Sequence, residues 1–397
     1  MLALLFWFAV IFVLYAYAGY PALIVFLAKL KGEENFSPDF LPEVTLLIPA
    51  YNEEDFIAKK LENSLTLNYP TEKLQILVAA DGSSDRTPDI VREFLDRGVE
   101  LAYIPERGGK MAAINRAIQS ARGEIVVFSD ANNIYEAQSI RVLTAPFSDV
   151  EVGSTTGAKL IIQDGRRLSA AEGLYWHYES RIKFSESIVG SCTSAVGEML
   201  AVRRALFLSP PKNIVNDDHY IVLDLMRRGY RNVYTPDARS FEYTSLSAAD
   251  EVVRRARMNA GLFQTISLSR KLLPWKRPLW LWQLFSHKYS RAFVPMAMAL
   301  AFLSNLLAVI FPVQGSENLF WALAAPYAQI FFGTQLIFYA LAWIGRIFKT
   351  GGAIGKLLYL PTFLVNSNLA VLSGLYDFIK GEESHIWQRV RRGGAEN

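Results

Sequence analysis

Residues 1–28 contain no charged side chain, and the first cations after them are Lys29 and Lys31. Crossing the hydrocarbon of a bilayer takes about 20 apolar residues, so this run spans even when tilted. A cleaved signal peptide needs a basic start and an apolar stretch of about 7–15 residues, and the run has neither. Tyr15, Tyr17 and Tyr20 with Pro21 mark a kink or an interfacial zone. Lysines directly after the span place the middle of the chain in the cytoplasm. Two further uncharged runs, 292–316 and 318–345, are each long enough to cross, and Arg346, Lys349 and Lys356 put the next loop back inside. A third, 357–376, contains Pro361, Asn366, Ser367 and Asn368. If it spans, the basic tail (Lys380, Arg389, Arg391, Arg392, with Trp387) lies outside, against the positive-inside rule. An interfacial or re-entrant segment is therefore the favoured expectation there. Residues 274–290 mix Trp275, Trp280 and Trp282 with Lys276, Arg277 and Lys288, which suits an amphipathic segment at the cytoplasmic interface.

Hydrophobicity is thus concentrated at the two ends, and the mean hydropathy of +0.17 is high for a soluble enzyme. The expected organisation is a transmembrane helix over 1–31, a globular domain over 32–270 and an interfacial segment over 271–291. A membrane region over 292–379 and a basic tail over 380–397 complete it. Charge is nearly balanced, 41 basic against 38 acidic residues, which argues against a nucleic-acid binder. A single cysteine, Cys192, excludes an intrachain disulfide and any multi-cysteine metal site.

In the middle, apolar runs rich in β-branched residues at 44–48, 74–79, 99–104 and 125–129 alternate with helical patterns. That alternation predicts an α/β domain, doubly wound around a parallel sheet. Ligands collect outside the carboxyl ends of such strands. The residues delivered there are Ala50-Tyr51-Asn52-Glu53, Asp81-Gly82-Ser83-Ser84 and Asp130-Ala131-Asn132-Asn133, with Lys110 on the glycine-supported run Arg107-Gly108-Gly109-Lys110 beside them. Any one of these could serve turn chemistry alone; three acid-bearing loops at one edge are harder to explain that way. Asp and Asn oxygens suit Mg²⁺ or Mn²⁺ already carrying phosphates, and a lysine neutralises phosphate. The glycines match neither the dinucleotide nor the P-loop pattern. Further on, Tyr175, Trp176, His177 and Tyr178 read as a helical core stripe, Asn216-Asp217-Asp218 as a helix cap, and 254–261 as a solvated basic helix face.

The runs VTLLIPAYNEE, ILVAADGSSDRT, RGGKMAAIN and VVFSDANN resemble the family 2 glycosyltransferases of the GT-A fold. More narrowly, they resemble membrane-embedded synthases of the cellulose, hyaluronan, chitin-oligosaccharide and poly-N-acetylglucosamine type. The likeness continues in order through Gly157-Ala158-Lys159, Gly197 to Arg204, Asn216-Asp217-Asp218, Gly229-Tyr230 and Arg254 to Gly261, covering most of 44–268. It implies a nucleotide-sugar-binding domain flanked by transmembrane helices in a bacterial inner membrane, its catalytic domain cytoplasmic. It also implies an inverting transfer from a UDP-sugar to a growing β-linked glycan, with the lipid bilayer as host and a homo-oligomer or export partner possible.

Carried over residue by residue, Ala50, Tyr51, Glu53 and Asp81 would bind nucleoside, while Lys110, Arg257 and Arg254 would lie toward the diphosphate. Asp130 and Asn132 would hold Mg²⁺ or Mn²⁺. Asp218 would be the general base, with Asp217 as the competing candidate. Three departures stand out: Asn132 where the family places a second acid, Arg254 for its glutamine, and Met258 for its acceptor-stacking tryptophan. Transfer to a membrane lipid is the alternative, and a non-catalytic nucleotide-sugar-binding partner of a synthase the remote one.

Overall fold

The computed structural model describes residues 1–162, 167–243, 248–312, 318–348 and 352–381. They form two compact units, one made of Ile24–Val253 and Gln264–Leu284, the other of Met1–Leu23, Arg254–Phe263 and the described residues of Phe285–Glu382. The expected basic tail, with Trp387, Arg389, Arg391 and Arg392, lies outside the described residues, as does the side chain of Tyr175.

The first unit is built on one sheet. Its described strands are β1 (Val44–Ala50), β2 (Leu74–Asp81), β3 (Val99–Ile104), β4 (Ile125–Phe128), β5 (Ile134–Tyr135), β6 (Val152–Ile162), β7 (Leu200–Arg203) and β8 (Arg231–Tyr243). Their order is β3-β2-β1-β4-β7-β6-β8-β5. The four strands expected from the apolar runs pair in parallel. Every residue of β1 and β4 is buried, as strands covered on both faces require. Ala50 pairs with Ala80, and Leu47 with Phe128, so the loops after β1, β2 and β4 leave from one edge.

Beyond β4 the sheet departs from the all-parallel expectation. Strand β7 inserts antiparallel between β4 and β6, and β8 carries β5 antiparallel at the far edge. Strands β6 and β8 bury polar residues, whose hydroxyl and amide groups are satisfied internally. Ser154 donates to Asn232 Oδ1 at 2.9 Å, and Thr155 to the carbonyl of Leu143 at 2.7 Å.

Helices cover the sheet with stripes at helical spacing. Ile57–Leu65 buries Ile57, Lys60, Leu61 and Ser64, the i, i+3, i+4, i+7 set, with a lysine in an apolar register. Lys110–Ala117 buries Met111, Ala113, Ile114 and Ala117. Asp217–Arg227 buries Ile221, Leu223 and Leu225. In the helix Arg167–Val189, Trp176 and Tyr178 are half-buried and His177 is exposed.

Among the described residues, four helices are long and apolar enough to cross a membrane: Leu2–Lys31, Pro278–Ile310, Tyr327–Ile347 and Leu357–Lys380. In the helical unit, Phe6 and Ala9 pack on Ala297, Ala301 and Ala308, small residues that let helices approach closely. The tyrosine-rich kink is a π-turn over Tyr15–Gly19, and a second π-turn covers Phe285–Tyr289. The two are joined where Tyr15 and Ser286 share a hydrogen bond of 2.7 Å and the Tyr20 ring stacks on His287. The run at 357–376 lies in one unbroken helix, Gly352–Lys380, that accommodates Pro361 and lacks the turn a re-entrant segment would need. Its Gly374 faces the segment 254–263, and a Cβ there would fall 2.5 Å from the Ala256 carbonyl.

Candidate active site

The loops leaving β1 and β2 are latched together before they meet anything else. Asn52, at a positive φ of 53°, accepts from the Ser84 amide at 2.8 Å and donates its own amide to Ser83 Oγ. The Glu53 amide donates to Thr87 Oγ1 at 2.8 Å, and Glu53 is buried. Gly82 is required twice over: its φ is +66°, and a Cβ would stand 2.7 Å from the backbone of Arg107. That close approach brings the 107–110 loop against the end of β2.

Asp81 turns this approach into fixed geometry. Its Oδ2 accepts from the amides of Gly108 (2.9 Å) and Gly109 (2.6 Å), and its Oδ1 from Arg116 at 2.8 Å. The carboxylate expected to meet a nucleoside thus also organises the glycine loop. Arg107 lies over the Tyr51 ring, 3.8 Å from its centroid. Ala50, Tyr51, Asp81, Arg107, Gly109, Lys110 and Asp130 line one small cavity together with Pro49 and Ala113. Glu53 is not among them.

Across that cavity, Lys110 Nζ stands 3.0 Å from Asp130 Oδ1, the two side chains 25% and 19% exposed. Burial disfavours the ammonium, but the charges of Asp130, Asp217 and Asp218 outweigh it and hold Lys110 above the usual lysine range. The acids opening the helix Asp217–Arg227 therefore act on the same lysine as Asp130. The carboxylate of Asp218 accepts from the His219 amide at 2.8 Å. It packs against Gly197, where a Cβ would stand 3.2 Å from Oδ2. Asn216, at the N-cap position, makes no side-chain cap bond.

Asn132 is 8% exposed. Its amide nitrogen donates to Glu242 Oε1 at 3.4 Å, while its Oδ1 is buried with no hydrogen-bond partner among the described residues. Asp130 and this oxygen are hard donors that fit Mg²⁺ or Mn²⁺. No group of three His, Cys, Asp or Glu among the described residues could hold a metal ion by itself. The fit is thus to a cation that arrives with phosphate ligands of its own.

Arg254 and Arg257 lie in the segment 254–263 of the helical unit, both half-buried on the helix Ala248–Ser267. Two of the three residues that depart from the family pattern touch each other, Arg254 Nη1 standing 3.6 Å from Met258 Sδ.

Sequence reasoning missed Arg107 and Arg116, which the glycine-rich run and its helix carry, and it missed the buried charges behind Asp130. There Lys159 is paired with Glu198 at 2.8 Å and with Glu242. Glu198 belonged to a segment singled out by resemblance alone.

Comparison with known proteins bears on the family and the fold. The family described as "Glycosyl transferase family 2" matches residues 45–207, and "Glycosyl transferase family group 2" matches 127–343. A probable glycosyltransferase of Bacillus subtilis, YdaM, is 34% identical over 144 residues, 35% of this chain and 34% of its own. The poly-β-1,6-N-acetyl-D-glucosamine synthase of Staphylococcus aureus is 26% identical over 214 residues, 52% of each chain. The chain therefore spans about half the length, or less, of these curated relatives. Among solved structures, the mannosyltransferase PcManGT from Pyrobaculum calidifontis, in complex with GDP-Man and Mn²⁺, superposes with a TM-score of 0.70. That match covers 96% of this chain and all of the other at 23% identity, and it shows a shared fold.

Proposed function

We propose, since the chain belongs to the family 2 glycosyltransferases, that it transfers a sugar from a UDP-sugar to a hydroxyl of a growing β-linked glycan at a membrane. The observation that carries this is one small cavity in which Lys110 meets Asp130 at 3.0 Å beside Tyr51, Asp81 and Arg107. A transferase needs a base for the attacking hydroxyl and positive charge for the leaving diphosphate, and it needs them within one small site.

In the proposed step the Asp218 carboxylate takes the proton of the acceptor hydroxyl. The oxygen attacks the anomeric carbon from the face opposite the diphosphate, so the configuration inverts. The bond to the diphosphate breaks as the new one forms, and Lys110 meets the charge that develops on the phosphate oxygens. Asp130 and Asn132 would hold Mg²⁺ or Mn²⁺, which when bound supplies further charge stabilisation to the diphosphate. Tyr51, with Ala50 and Asp81, bounds the nucleoside end of the cavity; Glu53, Arg254 and Arg257 keep the nucleotide-binding roles that resemblance suggests. The catalytic domain would face the cytoplasm of a bacterial cell, where nucleotide sugars are made.

A second acceptor class is favoured by one observation. The four helices long enough to cross among the described residues are few for one chain to enclose a polymer channel, which suits transfer to a membrane lipid such as a polyprenyl phosphate or a ceramide. One experiment separates the two: membranes given a panel of radiolabelled nucleotide sugars with Mg²⁺ or Mn²⁺. Polymer synthesis yields labelled material of high mass from a UDP-sugar, whereas lipid transfer yields label extractable into organic solvent. Absence of transfer from every donor would leave a nucleotide-sugar-binding partner and remove the enzyme.

A further inference from the structure

Lys60 sits where an amphipathic helix needs an apolar residue. It takes the i+3 place in the buried stripe of Ile57–Leu65 and is 0% exposed. No carboxylate lies within ion-pair distance of its ammonium group among the described residues. Its contacts are the Asn133 side chain, with Nζ donating to Oδ1 at 2.8 Å, and the Tyr135 ring, 4.0 Å from the centroid. Burying an amine without a carboxylate in direct contact is unfavourable. Packing alone would be served better by leucine or methionine.

Asn133 is the other half of the arrangement. It is also 0% exposed, and its amide is satisfied on every side. Oδ1 accepts from Lys60 and from Ser129 Oγ (3.0 Å), while Nδ2 donates to the Glu198 carbonyl (2.9 Å) and Ser240 Oγ (3.0 Å). The same helix grips the chain just beyond. Asn63 Oδ1 accepts from the Tyr135 amide, and Asn63 Nδ2 donates to the Tyr135 carbonyl, both at 2.8 Å. One helix thus fixes residues 133–135 from behind, while Asp130 and the unpartnered Asn132 oxygen stand in front.

We propose that Lys60 is a positioning residue for the cation-holding loop: through Asn133 it sets where the oxygens of Asp130 and Asn132 stand. This rests on the functional reading above. Two ligands from one short loop can share a cation only if the loop backbone is held to a fraction of an ångström. A buried donor anchored on a separate helix supplies that hold, whereas a loop governed by its own turn chemistry would drift.

The test uses the full-length protein in detergent, with Mn²⁺ titrated calorimetrically in the presence and absence of UDP or GDP, whichever the wild type binds. Lys60→Met keeps the length and apolar stem but removes the donor. It is expected to weaken nucleotide-supported Mn²⁺ binding about 10–100-fold, the range for partners that orient metal ligands. Nucleotide affinity without metal should change by less than about twofold, and excess Mn²⁺ should restore most of the transfer rate. A Lys60→Met protein with wild-type Mn²⁺ affinity overturns the proposal. So does a parallel loss of nucleotide and Mn²⁺ binding that excess metal does not repair, since that is what a merely structural residue gives. Should Lys60→Met not fold, Ser129→Ala removes the second donor on Asn133 Oδ1 and must show the same split more weakly; unchanged Mn²⁺ affinity there also overturns it. Failure of the wild type to bind Mn²⁺ with either nucleotide would instead bring down the functional reading itself.

Discussion

Lys110 Nζ and Asp130 Oδ1 share a hydrogen bond of 3.0 Å across the floor of the site. The lysine therefore occupies a carboxylate that a cation would also use, and each must yield to the other as donor enters. Lys110→Met should lower the transfer rate by about 10²–10³-fold, because a fixed charge on the leaving group is lost. Mn²⁺ binding without nucleotide should hold or tighten, since Asp130 is released. Calorimetry beside a rate assay checks both, and weaker Mn²⁺ binding would contradict the competition.

Asp218→Asn should reduce transfer by about 10²–10⁴-fold while nucleotide still binds, because the amide keeps the shape but cannot take the proton. Asp217→Asn, made in parallel, should cost far less. A rate above about a tenth of wild type in Asp218→Asn would move the base to its neighbour.

Asn132 faces Glu242, and this changes what an acid there would do. Asn132→Asp restores the family's second carboxylate but sets it against another, so the protein without metal should unfold at lower temperature. Mn²⁺ should then recover that loss and bind more tightly than to wild type when no nucleotide is present. Asp130→Asn should be the more damaging change to activity, and Asn132→Ala the milder. Thermal unfolding with and without Mn²⁺ tests the pair; equal Mn²⁺ effects on wild type and Asn132→Asp would remove Asn132 from the cation site.

Burial pulls Lys60 down to about 7, against the opposing charges of Asp130 and Glu198. An unfolded lysine keeps its proton to about pH 10.4. Between those values the unfolded chain binds more protons, so stability rises with pH, by at most about 1.4 kcal/mol per unit. Below the folded value the destabilisation is fully expressed. Unfolding midpoints at pH 7 and pH 9 should rise for wild type and stay flatter for Lys60→Met. Parallel curves would mean that Lys60 keeps its proton across this range.

The only cysteine, Cys192, is buried, so an introduced cysteine can be read against a quiet background. Lys212→Cys, at an exposed site, should resist a membrane-impermeant thiol reagent in intact cells and react after lysis. Because Gly352–Lys380 is one unbroken helix, Gly381→Cys should react without lysis. Labelling of Lys212→Cys in intact cells would reverse the orientation.

Strands β1 to β4 were legible because each is an apolar run ending in a polar loop, a pattern that survives without knowledge of partners. Strand β8 was not: it reads Arg231 to Tyr243 with Pro236, Asp237 and Arg239 inside it, and no period of two marks its buried face. Its burial depends on partners far away, such as Ser154 bonding Asn232. The site divides the same way. Asp81, Lys110 and Asp130 were legible at strand ends and on a glycine loop. Arg107 over Tyr51 was not, since nothing local to either residue announces the pairing. Lys60 was not legible either: a lysine between Ile57 and Leu61 carries no local sign that it is buried.

The partners of Asn133 are scattered along the chain: Lys60 lies 73 residues before it, the Glu198 carbonyl 65 after and Ser240 107 after. Chains are made from the amino end at about 5–20 residues per second, and domains begin folding as they emerge. The parallel strands and the loops latched by Asn52 can therefore assemble seconds before the Glu198 and Ser240 partners of Asn133 have been made. A nascent chain that has reached residue 200 already holds Tyr51, Asp81 and Lys110 but not yet Asp217, Asp218 or β8. On the proposed reading, competence to turn over donor would be acquired late in synthesis, when β8 docks.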